Sequence, residues 1–183
     1  METVYQKAHT LAEAQQPAML CHVIGARGHT PQVVGARMLV DQSGLVAGTV
    51  GGGRVEYEVI QHAVAWLSSS EPTRLELALG AELGMCCGGV MEFLLAPVRH
   101  DPWLAAAAAP TETEAWLGTA LGAADLGLRT LSATAPDGIC GQRRLGDAGV
   151  SGDTLWEPLR ARRRVFLFGA GHVAGPTASI CAL

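Results

Sequence analysis

Two adjacent thiols, Cys86 and Cys87, stand in the stretch Leu83-Gly84-Met85-Cys86-Cys87-Gly88-Gly89. Glycine carries no side-chain bulk and reaches φ > 0, so such a stretch can leave a thiol uncovered and turn backbone N–H groups toward a ligand. A thiolate held this way can ligate a soft metal or attack an electrophile. A free cysteine can equally be buried as a small hydrophobe. A second stretch, Gly48-Thr49-Val50-Gly51-Gly52-Gly53-Arg54-Val55-Glu56, precedes a helical pattern. A glycine-rich turn feeding a helix offers unpaired N–H groups and the positive end of the helix dipole, which suits a phosphate, and Arg54 adds a fixed charge. The Lys-Ser/Thr of a P-loop is absent, and Glu56 and Glu58 would offset the dipole and compete with an anion. A tight strand-to-helix turn without a ligand is the plainer alternative. A third stretch, Gly169-Ala170-Gly171-His172-Val173-Ala174, follows the apolar run Arg164–Phe168 as G-x-G-x-x-A. A strand before and a helix behind is the setting of a dinucleotide fingerprint.

The remaining reactive residues are less patterned. Cys21 and Cys181 fall on apolar faces and read as core, and Cys140 lies in a turn without assignment. Five cysteines form no C-x-x-C pair and no even disulfide framework, and adjacent cysteines cannot easily close on each other. A structural zinc site is not expected. His29 beside Arg27 is a candidate anion contact, and His172 sits inside the fingerprint, whereas His9, His22, His62 and His100 show no pairing. The chain has 183 residues, 49% hydrophobic and 16% charged, with a formal net charge of -4. That composition suits a globular core and speaks against nucleic-acid binding. The cluster Arg160, Arg162, Arg163 and Arg164 reads as a solvated strand entrance. No leader pattern and no apolar span of membrane length occurs, so a cytoplasmic protein is expected.

The elements that must position these residues follow from periodicity. Thr3–Gln16 reads as a helix ended by Pro17, and Ala18–Ala26 as a buried strand. Ala36–Val40 and Leu45–Val50 flank a hairpin turn at Asp41–Gly44. Val55–Leu67 is an amphipathic helix, and Thr73–Leu79 and Val90–Val98 are strands. His100–Pro110 reads as a linker or short helix, Thr113–Leu121 as a helix, Leu126–Thr134 as a strand, and 136–152 as turns. The fold class is α/β: a mixed α+β domain over 1–99, a linker and ill-defined α/β segment over 100–163, and the opening of a Rossmann-like domain over 164–183. A βαβ unit needs about 30 residues. The fingerprint is therefore expected to be incomplete, through a shortened chain or a lost half-domain, without competent dinucleotide binding.

Taken in order, Arg27-Gly28-His29-Thr30-Pro31, Gly35-Ala36-Arg37-Met38, Gly48–Glu56, Leu83–Gly89 and Phe168–Val173 resemble the xanthine dehydrogenase accessory protein family of XdhC/CoxI type. The likeness covers Ala18–Val98 and Arg164–Leu183. It implies a non-catalytic chaperone that binds molybdenum cofactor (molybdopterin), protects it and helps load it into xanthine dehydrogenase or a related molybdenum hydroxylase. Implied partners are the molybdenum-binding subunit of that hydroxylase, a cysteine desulfurase and a second copy of the chain, with neither nucleic acid nor membrane. The family's Cys-Gly-Gly maps onto Cys87-Gly88-Gly89, which favours Cys87 over Cys86 as a molybdenum contact. Its glycine loop often carries Cys where Arg54 stands, a departure that weakens any mechanism using two distant cysteines. The expected cofactor-binding set is Gly51, Gly52, Gly53, Arg54, Glu56, Cys87, Gly88 and Gly89; that Glu56 reads the pterin edge is inferred from its carboxylate and not from the likeness. The incomplete fingerprint is Gly169, Gly171, His172 and Ala174. Two other readings stand beside this one: an NAD(P)-dependent oxidoreductase, and a module that docks the client enzyme without touching cofactor.

Overall fold

An apolar run that alternates its two faces inside one protein is the axis of the fold. The computed structural model describes residues 3–80, 88–109, 115–138, 148–159, 169 and 171–181. The axis is β1 (Ala18–Arg27), buried without interruption over its first seven residues. It pairs antiparallel with β2 (Arg37–Asp41) on one side and β5 (Val90–Pro97) on the other. With β3 (Gly44–Gly48) and β4 (Thr73–Ala78) this makes a five-stranded antiparallel sheet in the order β3-β2-β1-β5-β4. The β2–β3 hairpin turns at Gln42-Ser43, where Asp41 Oδ1 accepts from Ser43 N at 2.7 Å and Ser43 Oγ at 2.6 Å. Gly44 completes the turn at φ 110°.

Because side chains alternate along a strand, β1 feeds two cores. Met19, Cys21 and Val23 face α2 (Gly53–Trp66) through Val55, Val59 and Ala63, together with Met91, Phe93 and Leu95 of β5. Burial pushes the Cys21 thiol up to about 12, so it is an inert apolar filler. Leu20 faces the other way, toward α1 (Val4–Glu13) and Leu104 of α3 (Pro102–Ala108). A capping box starts α1: Gln6 N donates to Thr3 Oγ1 at 3.2 Å and Thr3 N to Gln6 Oε1 at 2.8 Å.

The second sheet covers that other face. Its order is β7-β6-β9-β8, all antiparallel, from β6 (Ala115–Ala120), β7 (Arg129–Ser132), β8 (Gly149–Ser151) and β9 (Thr154–Leu159). The described architecture is mixed α+β with two antiparallel sheets, and the start of α4 (Ala174–Cys181) follows the glycine fingerprint. The helix expected over Thr113–Leu121 is in fact β6. Trp116, Leu117 and Thr119 are all buried, so both faces are covered and the alternation that marks a strand is erased. Gly118 lets the ring of Trp156 lie across it; an added Cβ would sit 2.8 Å from that ring. Strand β9 was not expected, because Glu157 and Pro158 interrupt its apolar pattern. No helix among the described residues is long and apolar enough to cross a membrane.

A buried ionic cluster joins the sheets. Glu157 of β9 is fully buried. Its Oε1 accepts from Arg37 Nη1 at 2.5 Å, and its Oε2 accepts from Tyr5 Oη at 3.0 Å. His22 Nε2 lies 3.2 Å from the same Oε2. Arg37 also donates to Tyr5 Oη at 2.8 Å. Arg129 of β7 donates to Thr119, lies 4.9 Å above the Trp103 ring, and stands 4.0 Å from Glu157 Oε2. Tyr5 gives its one proton to Glu157, so we assign His22 as the neutral imidazole with its proton on Nε2, donating to the carboxylate. Nδ1 is then the acceptor left without a partner among the described residues. Burial holds the His22 pKa below 6.5, against the pull of Glu157. Burial, the largest single influence, would raise the Glu157 carboxyl, but Arg37, His22 and Arg129 together outweigh it and hold the group well below the carboxylate range.

Both depressed pKa values act in one direction. Between its folded and unfolded values each group binds more protons unfolded, so stability falls as pH drops. The loss begins below pH 6.5 through His22 and continues below pH 4.5 through Glu157. Chemical denaturation at stepped pH should show both phases, and His22→Gln should remove only the first. Glu157→Gln should destabilise by about 2–4 kcal/mol, since it leaves the buried Arg129 and the part-buried Arg37 without their carboxylate. A loss below about 1 kcal/mol would mean the cluster is not a joint between the sheets.

Candidate functional site

The C-terminal end of β1 and the N-terminal end of β5 bring two of the sequence motifs into backbone contact. His29 bridges Gly88 in parallel fashion. A Cβ added to Gly89 would lie 2.3 Å from His29 O and 2.7 Å from Arg27 O, so only glycine permits this approach. Gly28, at φ 71°, faces Gly89 Cα in the same way. The loop between β4 and β5 is closed at its base: Leu79 N donates to Gly89 O and Gly88 N to Leu79 O, each at 2.8 Å. Cys86 and Cys87 lie outside the described residues, as does Cys140.

The glycine loop joins from the other side. A Cβ on Gly51 would meet Pro31 Cγ at 2.8 Å, so the loop rests against the turn that follows His29. Gly51, Gly52 and Gly53 adopt φ of 135°, 70° and 59°, conformations that favour glycine. Added Cβ atoms at Gly52, Gly53 and Gly88 would meet nothing within 4 Å among the described residues, so these three positions are open toward them. Gly52 is the N-cap of α2 and supplies no side chain to cap it. The N–H groups of Gly53 and Arg54 make no hydrogen bond among the described residues. This is a helix N-terminus with donors to spare.

Glu56 limits what the loop can hold. Its Oε2 accepts from Thr49 Oγ1 at 2.5 Å, Val50 N at 3.0 Å and Gly52 N at 3.3 Å. The chain's own carboxylate therefore occupies the Val50 and Gly52 amides, and an external anion is left with those that open α2, of Gly53, Arg54 and Val55. Glu56 Oε1 has no hydrogen-bond partner among the described residues. Arg54 pairs with Glu58 at 2.7 Å and stacks 5.3 Å from the Tyr57 ring, so it is present but already engaged. Arg27 is likewise held, by Glu76 at 2.9 Å and Glu92 at 3.0 Å, and it is not a free cation beside His29.

Other expected residues do not join this group. Gly169 takes φ 116°, Gly171 and His172 are exposed, and Ala174 begins α4. The strand expected at 164–168 and Ala170 lie outside the described residues. The described hydrogen bonds of 169–181 stay within that segment. A cleft of about 870 Å³ opens elsewhere, between α3 and the 123–129 loop, with Trp103, Arg99 and Arg129 in its wall. None of the sequence-predicted residues lines it. Sequence reasoning missed the set Tyr5, His22, Arg37, Arg129 and Glu157, and His22 does have a partner after all. The available signal was His22 and Glu157, each a polar residue inside an otherwise apolar strand.

Known proteins share both the sequence and the shape. Residues 11–78 match the model of the XdhC and CoxI family, so the resemblance read from the motifs holds over that stretch. An Escherichia coli (strain K12) protein described as uncharacterized protein YqeB is 32% identical over 96 residues, which are 50% of this chain and 18% of that protein. A Bacillus halodurans protein whose crystal structure is described as a xanthine dehydrogenase superposes with a TM-score of 0.60 at 19% identity. That match covers 87% of this chain and 53% of the other, and at this identity it shows a shared fold. The chain thus spans only part of the length of either protein.

The role given to Glu56 has a direct check. Glu56→Ala frees Thr49, Val50 and Gly52 at once and should cost about 1–3 kcal/mol in urea unfolding. Glu58→Ala breaks only a helix-surface pair and should cost less than about 0.5 kcal/mol. Equal costs would show that Glu56 does not organise the loop.

Proposed function

We propose that this chain, XdhC/CoxI-type over residues 11–78, is an accessory protein that binds molybdenum cofactor and passes it to a molybdenum hydroxylase such as xanthine dehydrogenase. The family match and the shared fold support the accessory role. One observation carries the cofactor reading: three separate motifs, 27–31, 48–54 and 88–89, meet at one end of the first sheet, and three of their glycines have no described residue against an added Cβ.

The residues fit the chemistry of the group. Molybdenum cofactor combines a phosphate, a pterin and a metal held by dithiolene sulfurs. The free amides of Gly53 and Arg54, with the dipole of α2 behind them, suit the phosphate. The Arg54 guanidinium can turn from Glu58 to the anion at small cost, because that surface pair is weak. Oε1 of Glu56 is the carboxylate oxygen left to accept a hydrogen bond from an amino-pyrimidine edge, while Oε2 keeps the loop in shape. Cys87, next to Gly88, supplies a soft thiolate suited to molybdenum, with Cys86 as the lesser candidate. Gly88 and Gly89 keep the floor of the site free of side chains. When bound, the cofactor supplies the oxygen-transfer chemistry of the client enzyme; this chain's part is to hold, shield and release it. A carrier needs modest contacts of this kind, because its cargo must leave. The client's molybdenum-binding subunit, a cysteine desulfurase that exchanges the metal's oxo ligand and a second copy of the chain are the partners this role calls for.

The test is copurification from a cofactor-producing host, scored as molybdenum and oxidised pterin per chain. Cys87→Ala should lose most of the molybdenum while keeping the wild-type unfolding midpoint. Arg54→Ala should lower pterin and molybdenum together by roughly tenfold, the worth of a charge-assisted contact to a phosphate of about 1.4 kcal/mol. Full occupancy in Cys87→Ala would refute the thiol's role, and full occupancy in both variants would refute the site.

A further inference from the structure

We propose that His9, Glu13 and His100 form a binding site for one divalent first-row transition ion, of which zinc is the natural probe. The three side chains each offer one ligand atom, and these atoms all lie within 4.8 Å of one another. His9 and Glu13 are one turn apart on α1, so they project from the same face. His100 comes from the turn between β5 and α3. That turn is fixed on both sides: Asp101 N donates to Arg99 O at 2.9 Å, Leu104 N donates to Asp101 O at 3.0 Å, and Arg99 reaches the Ser70 carbonyl.

The spacing favours a shared ion over direct pairing. His9 Nδ1 and Glu13 Oε2 are 3.7 Å apart, too far for a hydrogen bond. Two ligands on one tetrahedral zinc, each at about 2.1 Å, stand roughly 3.4 Å apart. The imidazole rings of His9 and His100 have centroids 6.1 Å apart and are tilted by 40°, so they converge without stacking. Neither ring makes a hydrogen bond among the described residues, which leaves their nitrogen lone pairs available. Two nitrogens and one carboxylate oxygen suit zinc and its neighbours and disfavour magnesium or calcium, which take oxygen. Glu13 and His100 are exposed, so an ion can enter, and the fourth position falls to water.

The consequence is mechanical. The ion would staple α1 to the turn that leads into α3 and the second sheet. Helix α1 carries Tyr5, whose ring meets Trp103 of α3 edge-on at 6.2 Å and whose hydroxyl reaches Glu157. Zinc would therefore tighten the same joint that the buried cluster makes, from the outside.

Thiols also bind zinc, so the test uses the full chain with Cys86→Ser, Cys87→Ser and Cys140→Ser. In equilibrium dialysis that protein should retain one zinc per chain. At free zinc a hundredfold above Kd its thermal midpoint should rise by roughly 5–10 °C. His100→Ala, a surface change that leaves the fold intact, should cut zinc affinity about tenfold or more and abolish the shift, and His9→Ala should do the same. The proposal is overturned if the chain with these three cysteines replaced retains no zinc, or if His9→Ala and His100→Ala in that background retain as much as their parent.

Discussion

One buried carboxylate sets the relation between the two sheets. Glu157 reaches from β9 into a space walled by α1, β1 and β2, and it meets a donor from each. Burying an ion costs several kcal/mol, which excellent geometry and further hydrogen bonds must offset. Here Arg37, Tyr5 and His22 supply them. Apolar packing alone would let the sheets slide, since hydrophobic contact is non-directional. A carboxylate that is tolerable in one position only makes that position the register. The same cluster explains why a histidine and a tyrosine sit in otherwise apolar faces.

The candidate site stands apart from this joint along the same strand. His22 and Arg27 are five residues apart on β1, which is roughly 17 Å of extended chain. The middle of the strand is thus committed to holding the protein together, and its end is open to a ligand. The glycine-rich segments there do two physically different jobs. Gly28 and Gly89 let backbones touch, and Gly51 makes room for the Pro31 ring, as the close approaches of an added Cβ show. Gly52, Gly53 and Gly88 leave space unfilled among the described residues. Positive φ already calls for glycine at Gly52, Gly53 and Gly88, and their empty Cβ positions leave room beside the turn. Glu56 stands between them, shaping the loop with one oxygen and presenting the other.

Most of the first sheet was legible from residue order. The run Ala18–Ala26, the Asp41–Gly44 turn and the Val55–Leu67 periodicity each led to the observed element within a residue or two, because local propensity and tertiary burial agree there. Of the second sheet only β7 was legible, inside the strand read over Leu126–Thr134, whereas β8 falls at the end of the stretch read as turns. In β6 both faces are buried, and in β9 a glutamate and a proline break the pattern, so the deciding terms lie in contacts more than a hundred residues away in sequence. The site was legible in its residue types and in part in its geometry. Sequence spacing singled out the glycine loop and the Gly88-Gly89 pair, but it could not show that His29 bridges Gly88 or that Glu56 fills two of the loop's amides. Arg27 and Arg54 read as free cations from sequence, and both have acidic partners in space.

The central claim is that three distant segments at one end of the first sheet make a single binding site. Hydrogen–deuterium exchange on the cofactor-loaded and cofactor-free chain tests it most directly. The account predicts slowed exchange on loading at 27–32, 50–55 and 79–90 together, with the amides around Glu157 in β9 unchanged. Protection limited to one of these segments, or centred on the cleft beside Trp103 and Arg129, would contradict it.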